Sequence, residues 1–213
     1  YCVELPNSWD TYLADNLSTN QRQKTRRIIR IFEENKNTRL NLAKSEDDVE
    51  KAFDQLVILH KKRWEGKNKV GAFTSKKFVN FHKEFISKVL QQGGVQFTLL
   101  QAEDAIIGAL YNFKYKNTIY YYQSGFDLDN SEGLSPGYLM HSLAIRHYID
   151  DPTIRDYDFM MGGLKGSYKT KFGTTNTAMT RIVIHKSGTV GKLAWVGYEF
   201  LGKLLKRALA FTL

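Results

Sequence analysis

The sequence has one cysteine, three prolines and no long uninterrupted apolar run. Cys2 stands alone, so no internal disulfide can form, and such a framework suits a reducing compartment. A membrane-spanning helix needs about 18 or more consecutive apolar residues, and none occurs. No signal-peptide pattern opens the chain. A cytoplasmic location follows as the expectation, in solution or at the inner face of a membrane. The five histidines, His60, His82, His141, His147 and His185, lack the spacing with acids that builds a metal site. They read as structural or surface groups, and no metal is expected. The terminal Cys2 offers no nucleophile, and no other nucleophile constellation is expected.

Acidic residues are scarce in one place. From residue 159 to 213 the only acid is Glu199, against nine Lys and Arg, which accounts for +8 of the net +9. A one-sided basic field favours a polyanionic partner such as a phosphorylated cofactor, nucleic acid or an anionic lipid surface, or it is simply a solvated face.

What is present is a core-forming composition: 42% hydrophobic and 13% aromatic residues over 213 positions. That supports one domain over 1–213. The chain begins with Tyr1, and the reading expects the C-terminal part of a longer protein.

Residues 8–91 read as mainly helical. Ser18 or Thr19 caps a helix crowded with Arg22, Lys24, Arg26, Arg27 and Arg30. "TRLNLA" alternates like a short strand. Ser45 and Asp48 form a capping-box pattern, followed by Val49, Phe53, Leu56 and Leu59 at helical spacing. Ser75 to Gln91 predicts a helix with Phe78, Phe81, Phe85 and Val89 on one side, stopped by Gly93 and Gly94. Residues 94–185 then turn β-rich. "VQFTLLQ", "AIIGALYNFKY" and "TIYYYQSGF" predict a three-stranded antiparallel meander. A helix over 136–149, a strand in "RDYDFMM", a basic loop "KGSYKTKFGTT" and a strand "MTRIVIH" follow. A helix closes the chain over 190–212, with an amphipathic basic pattern that packs on the core or lies on an anionic membrane.

The stretch "GLSPGYLMHSLAIRHYI" combines glycines with an abrupt helix start. Pro136 suits the first helical position, and Ser135 takes the cap position. Gly133 and Gly137 allow close backbone approach. The free N–H groups and the helix dipole then either end in an ordinary cap or face an anion such as a pyrophosphate.

A meander, a glycine-containing loop, a helix and a buried strand resemble the core of the GCN5-related (GNAT) acyltransferases. In "YYQSGFD", "SPGYLMHSLAIRHYI", "YDFMMGG" and "YKTKFG", taken in that order, the chain is similar to the BioF2-like, CelD-type branch associated with bacterial cellulose and exopolysaccharide clusters. "DF", a glycine and a later "KxxFG"-like element also resemble the Fem-type peptidoglycan aminoacyltransferases, which draw on aminoacyl-tRNA. Where the superfamily signature has Gln or Arg, Gly, and Gly or Ala, this chain has Asn130, Gly133 and Ser135.

The resemblance implies an α/β (α+β) fold: a mixed, mostly antiparallel sheet flanked by helices, with a β-α-β crossover at the cofactor site. It also implies an acetyltransferase using acetyl-CoA or another acyl-CoA, with an amino sugar, polysaccharide or cell-envelope precursor as acceptor; a Fem-like transferase using aminoacyl-tRNA, or a non-catalytic binding module on the same fold, is the alternative. Gln123, Ser124 and Gly125 would lie near the thioester, with Gly133, Ser135, Pro136, Gly137 and Tyr138 around the phosphates. Asp158 reads as a general base or as a structural carboxylate that pairs with a lysine or a backbone amide. Tyr168 reads as a general acid, and Lys169 as a catalytic group that contacts phosphate or acceptor. Trp64, Lys171 and Phe172 are the expected acceptor contacts.

Overall fold

The computed structural model describes residues 1–66, 71–129, 135–161, 167–180, 182 and 196–197. Tyr1–Thr177 forms one compact unit and Ala178–Leu213 a second. The six-stranded sheet belongs to the first unit. The expected helix over 190–212 and most of the expected "MTRIVIH" strand lie outside the described residues.

The chain begins with strand β1 (Cys2–Glu4), then a short helix α1 (Trp9–Thr11) that runs into a π-helical turn, Tyr12–Asn16. Helix α2 spans Thr19–Glu34. Its cap is Ser18, whose side chain takes the Gln21 N–H while Gln21 answers the Ser18 N–H. Thr25, Ile28 and Ile29 form its buried face. Strand β2 (Thr38–Leu42) follows, then α3 (Glu46–Glu65) behind the capping box of Ser45 and Asp48. Val49, Ala52, Phe53, Leu56, Leu59 and His60 bury one stripe of α3 at the expected three- and four-residue spacing.

In α4 (Lys76–Val89) the buried face differs from the expected one. His82 and Ile86 bury most deeply, and Phe81 is 59% exposed. The face is rotated because His82 finds partners under it: Nδ1 lies 3.4 Å from the Tyr111 hydroxyl and Nε2 3.1 Å from that of Tyr122. Those bonds satisfy a polar ring among Phe53, Phe73 and Phe78.

The expected meander is present as β3 (Val95–Ala102), β4 (Ala105–Tyr115) and β5 (Thr118–Phe126). Helix α5 (Pro136–Ile149) then leads to β6 (Asp156–Asp158). The six strands lie in the order β1-β6-β5-β4-β3-β2, and only β5–β6 is parallel. The sheet is thus mixed and mostly antiparallel, with a β-α-β unit joining β5 to β6.

Two apolar layers cover the sheet. One packs Leu100, Leu110, Ile119 and Tyr157 with Ile28 and Ile29 of α2 and with Leu139, Met140 and Leu143 of α5. The other packs Phe97, Ala109 and Tyr111 with Phe53 and Leu56 of α3 and Ile86 of α4. A bulge in β4 adjusts the first layer: Leu100 pairs with Gly108 and Gln101 with Ile106, leaving Ile107 as the extra residue. Gly108 then meets α5 closely; a Cβ there would lie 2.5 Å from the Met140 sulfur.

Candidate active site

The pairing of β5 with β6 stops early. Thr118, Ile119 and Tyr120 pair with Asp156, Tyr157 and Asp158, while β5 runs on to Phe126 bonded to β4 alone. Beyond Asp158 the chain turns away, and the Phe159 N–H donates to the Tyr1 carbonyl at 2.8 Å. The two strands therefore open into an angle. A second bulge, at Tyr122, lies on β5 at this point, since Asn112 pairs with Tyr121 and Tyr111 with Gln123.

A cavity of about 420 Å³ lies where the end of β5 meets the start of α5. Its walls include Phe126 of β5, Ser135, Pro136, Gly137, Tyr138 and His141 of the α5 segment, Lys24 of α2, Arg63 of α3, and Tyr168 and Lys171. Ser135 stands at the cap position of α5, yet its side chain makes no capping hydrogen bond. The Gly137 and Tyr138 N–H groups, which have no acceptor within the helix, therefore face the cavity mouth without a side-chain cap. Gly137 lets the helix start close to the sheet, because a Cβ there would lie 3.1 Å from the Phe126 ring.

Three cations surround these amides. The Lys24 ammonium sits 4.6 Å above the Tyr138 ring, and the Arg63 guanidinium lies 5.6 Å from the Phe126 ring centre. Lys171 is exposed at the rim. The chain leaving β5 is tied down beside them: Lys62 donates to Asp127 at 2.7 Å and lies 3.4 Å from Asp129.

The inner wall is aromatic and sparingly polar. His141 is 1% exposed, its Nδ1 lies 2.9 Å from the Tyr157 hydroxyl, and its Nε2 has no hydrogen-bond partner. Burial, helped by the nearby Lys169 charge, pushes its pKa down to about 3, so the ring is neutral. Tyr121 meets His141 edge-on at 4.5 Å and shares a 2.6 Å hydrogen bond with the Ser124 hydroxyl. Burial and a hydrogen bond with Tyr121 hold the Tyr168 phenol well above its usual pKa.

Of the residues expected from sequence, Ser135, Pro136, Gly137, Tyr138, Tyr168 and Lys171 come together here. Gly133, with Asn130, lies outside the described residues. Ser124 is buried against Tyr121, and Gln123 sits in the β4–β5 ladder.

Others have different work. Gly125 admits α3, since a Cβ there would lie 2.6 Å from Leu59 Cβ and 2.7 Å from the His60 nitrogen. Lys169 is 7% exposed, and its ammonium donates to the carbonyls of Phe159, Met160 and Met161 at 2.7, 3.4 and 3.2 Å. A cation so used holds the turn after β6. Asp158 accepts the Met160 N–H at 2.7 Å in that same turn, where Met160 has φ +56°, and this is a structural role. Phe172 is a core residue stacked between Tyr138 and Phe159, not an acceptor contact. Trp64 donates to His60 Nε2 at 2.9 Å and packs on Gly71, not into the cavity.

Lys24, Arg63 and His141 were missed as members of the site. For His141 the signal was a lone polar ring inside the apolar stripe Leu139, Met140, Leu143 and Ala144. Residues 133–137 also have the Gly-x-Ser-x-Gly spacing, which the sequence reading passed over. Among the described residues no histidine is hydrogen-bonded to Ser135. Also among them, no group of three or more His, Cys, Asp or Glu could hold a metal, and no helix is long and apolar enough to cross a membrane.

The family model described as an acetyltransferase (GNAT) domain matches residues 19–170. No curated protein matches the sequence. Among solved structures, FemX is similar with a TM-score of 0.60 and 11% identity, over 82% of this chain and 58% of its own. A conserved protein of unknown function from Bacteroides thetaiotaomicron follows with 0.53 and 12%, over 81% and 54%. L-PGS from Bacillus licheniformis has 0.52 and 14%, over 78% and 46%. At these identities the likeness concerns the fold, and the chain spans about half the length of each.

Proposed function

The chain belongs to the GNAT acetyltransferase family, an assignment that makes it an acyltransferase, and from that premise we propose that it moves an acyl group from acyl-CoA to an amine or hydroxyl of an amino sugar, polysaccharide or cell-envelope precursor. The observation that carries this reading is the cavity between the end of β5 and the start of α5. It joins uncapped helix amides and three cations to a wall with aromatic residues, where among the described residues His141 Nε2 is a buried polar atom without a hydrogen-bond partner.

Those residues fit a long donor with a polyanionic end and an acyl end. The Gly137 and Tyr138 amides, with Lys24, Arg63 and Lys171, would hold phosphate. Tyr121, Tyr168 and His141 would surround the acyl end. The donor supplies a thioester, whose carbonyl carbon is open to an amine or hydroxyl. The Tyr168 phenol, kept protonated by burial, would give its proton to the departing sulfur.

Calorimetric titration of CoA and acetyl-CoA tests the reading. Saturable binding to the wild type that weakens in Lys171→Glu supports it, and absence of heat with either ligand ends it.

A second reading exchanges the donor for aminoacyl-tRNA. It rests on α2, where exposed Arg26, Arg27 and Arg30 continue the positive surface beyond Lys24. A steep linear fall of log affinity for tRNA with log salt, together with no CoA binding, would favour it.

A further inference from the structure

The Tyr157 phenol is fully buried, and among the described residues its hydroxyl has one hydrogen-bond partner, His141 Nδ1, at 2.9 Å. A buried phenol hydrogen needs an acceptor. The one at hand is Nδ1, which must then be bare. A neutral ring with a bare Nδ1 carries its proton on Nε2. The opposite tautomer would leave both the phenol hydrogen and the Nε2 lone pair unsatisfied in an apolar setting. The ring thus offers an N–H with no partner, on a residue that lines the cavity. Among the described residues, Tyr121, Phe159, Phe172 and Tyr168 stand around it at ring distances of 4.5, 4.9, 5.5 and 6.2 Å.

We propose that His141 Nε2–H is the hydrogen-bond donor to the carbonyl oxygen of the transferred acyl group, with Tyr157 as the positioning residue that selects the tautomer. The inference rests on the acyl-donor reading above. As the acceptor's nitrogen or oxygen bonds to the carbonyl carbon, the C=O π pair shifts onto the oxygen held by Nε2–H. That pair returns as the C–S bond breaks. The sulfur takes a proton from Tyr168, which regains the one that the acceptor releases. A neutral donor suits the task, because it stabilises the developing charge without losing its own proton.

The test uses the wild type, His141→Phe and His141→Gln, the last retaining an N–H in a side chain of similar reach. Infrared spectra of bound acetyl-CoA labelled with ¹³C at the thioester carbonyl should show a lowered stretch in wild type and His141→Gln, and the free-ligand value in His141→Phe. Calorimetry should show acetyl-CoA binding roughly 3- to 10-fold weaker in His141→Phe, with CoA itself unchanged. Nitrogen NMR of the ligand-free wild type should show the Nε2–H tautomer. An Nδ1–H tautomer, or an equal carbonyl shift in His141→Phe, overturns the inference and leaves acyl-CoA binding standing. A wild type that binds neither CoA nor acetyl-CoA ends the acyl-donor reading and this inference with it.

Discussion

The Lys169 ammonium lies 2.7 Å from the Phe159 carbonyl oxygen, at the point where the chain leaves β6 and the sheet opens. With Met160 and Met161 also accepting from it, one side chain satisfies three backbone acceptors. Lys169→Met keeps the length and removes the donors. It should cost about 3 kcal/mol, read as a lower urea midpoint at unchanged slope. Lys171→Met, on the exposed rim, should stay within about 0.5 kcal/mol.

Gly125 should tolerate no side chain. A methyl group there meets Leu59 Cβ, the His60 nitrogen and the Leu56 carbonyl oxygen at 2.6, 2.7 and 3.0 Å. Gly125→Ala should destabilise by roughly 1–3 kcal/mol, because α3 must lift from β5, and a thermal midpoint equal to wild type would contradict this packing.

Asp158→Asn should leave acetyl-CoA binding and turnover within about twofold of wild type, because an amide oxygen can still accept the Met160 N–H. Asp158→Ala should lose about 1 kcal/mol of stability. A large loss of turnover in Asp158→Asn at unchanged stability would restore the general-base reading.

Acid should unfold the protein through its buried histidines. Burial lowers His141 to about 3 and His60 to about 4, from the ordinary 6.5. In the unfolded chain both rings take up protons below about 6.5, while in the folded chain they stay neutral. The unfolded state then binds more protons, so stability is full above pH 6.5 and falls as pH drops toward 4. Between pH 7.5 and 5 the loss should be on the order of 3 kcal/mol, followed by denaturant midpoints. His141→Phe should flatten the profile.

How much of this was legible in the sequence depended on range. Ser18, Ser45 and Pro136 announce α2, α3 and α5 locally, because a cap or a first-turn proline acts within three residues. The meander shows through β-branched and aromatic runs. The bulges at Ile107 and Tyr122 do not, since an extra residue is defined only by the partner strand. Nor does the role of Lys169: the chain must already be folded for its ammonium to find carbonyls eight to ten positions back. The loop at Ser135–Tyr138 could be read as a helix start beside an anion, but Lys24 and Arg63 come to it from α2 and α3, more than 70 residues away in sequence.

Charge reversal at the cavity rim should separate binding from folding. Lys24→Glu and Lys171→Glu alter exposed side chains beside the α5 amides. Each should weaken CoA binding by about 5- to 10-fold at low salt, less at higher ionic strength, with no shift in thermal midpoint. A shift in midpoint without a change in affinity would place both lysines outside the ligand's reach.

Strand β1 carries a consequence for the order of folding. Val3 pairs with Tyr157 in β6, while Cys2 bridges to Thr175, with two backbone bonds of 3.0 and 2.8 Å. The Cys2–Thr175 contact closes a loop of 173 residues, against hairpins of a few residues in the meander. Closing so long a loop early would lose chain entropy before other contacts offset it. The meander can therefore assemble first, with α3 and α4 against one face, while the segment bearing Tyr168 and Lys171 arrives last. In hydrogen exchange the segment bearing Tyr168 and Lys171 should be the first to open, ahead of the meander.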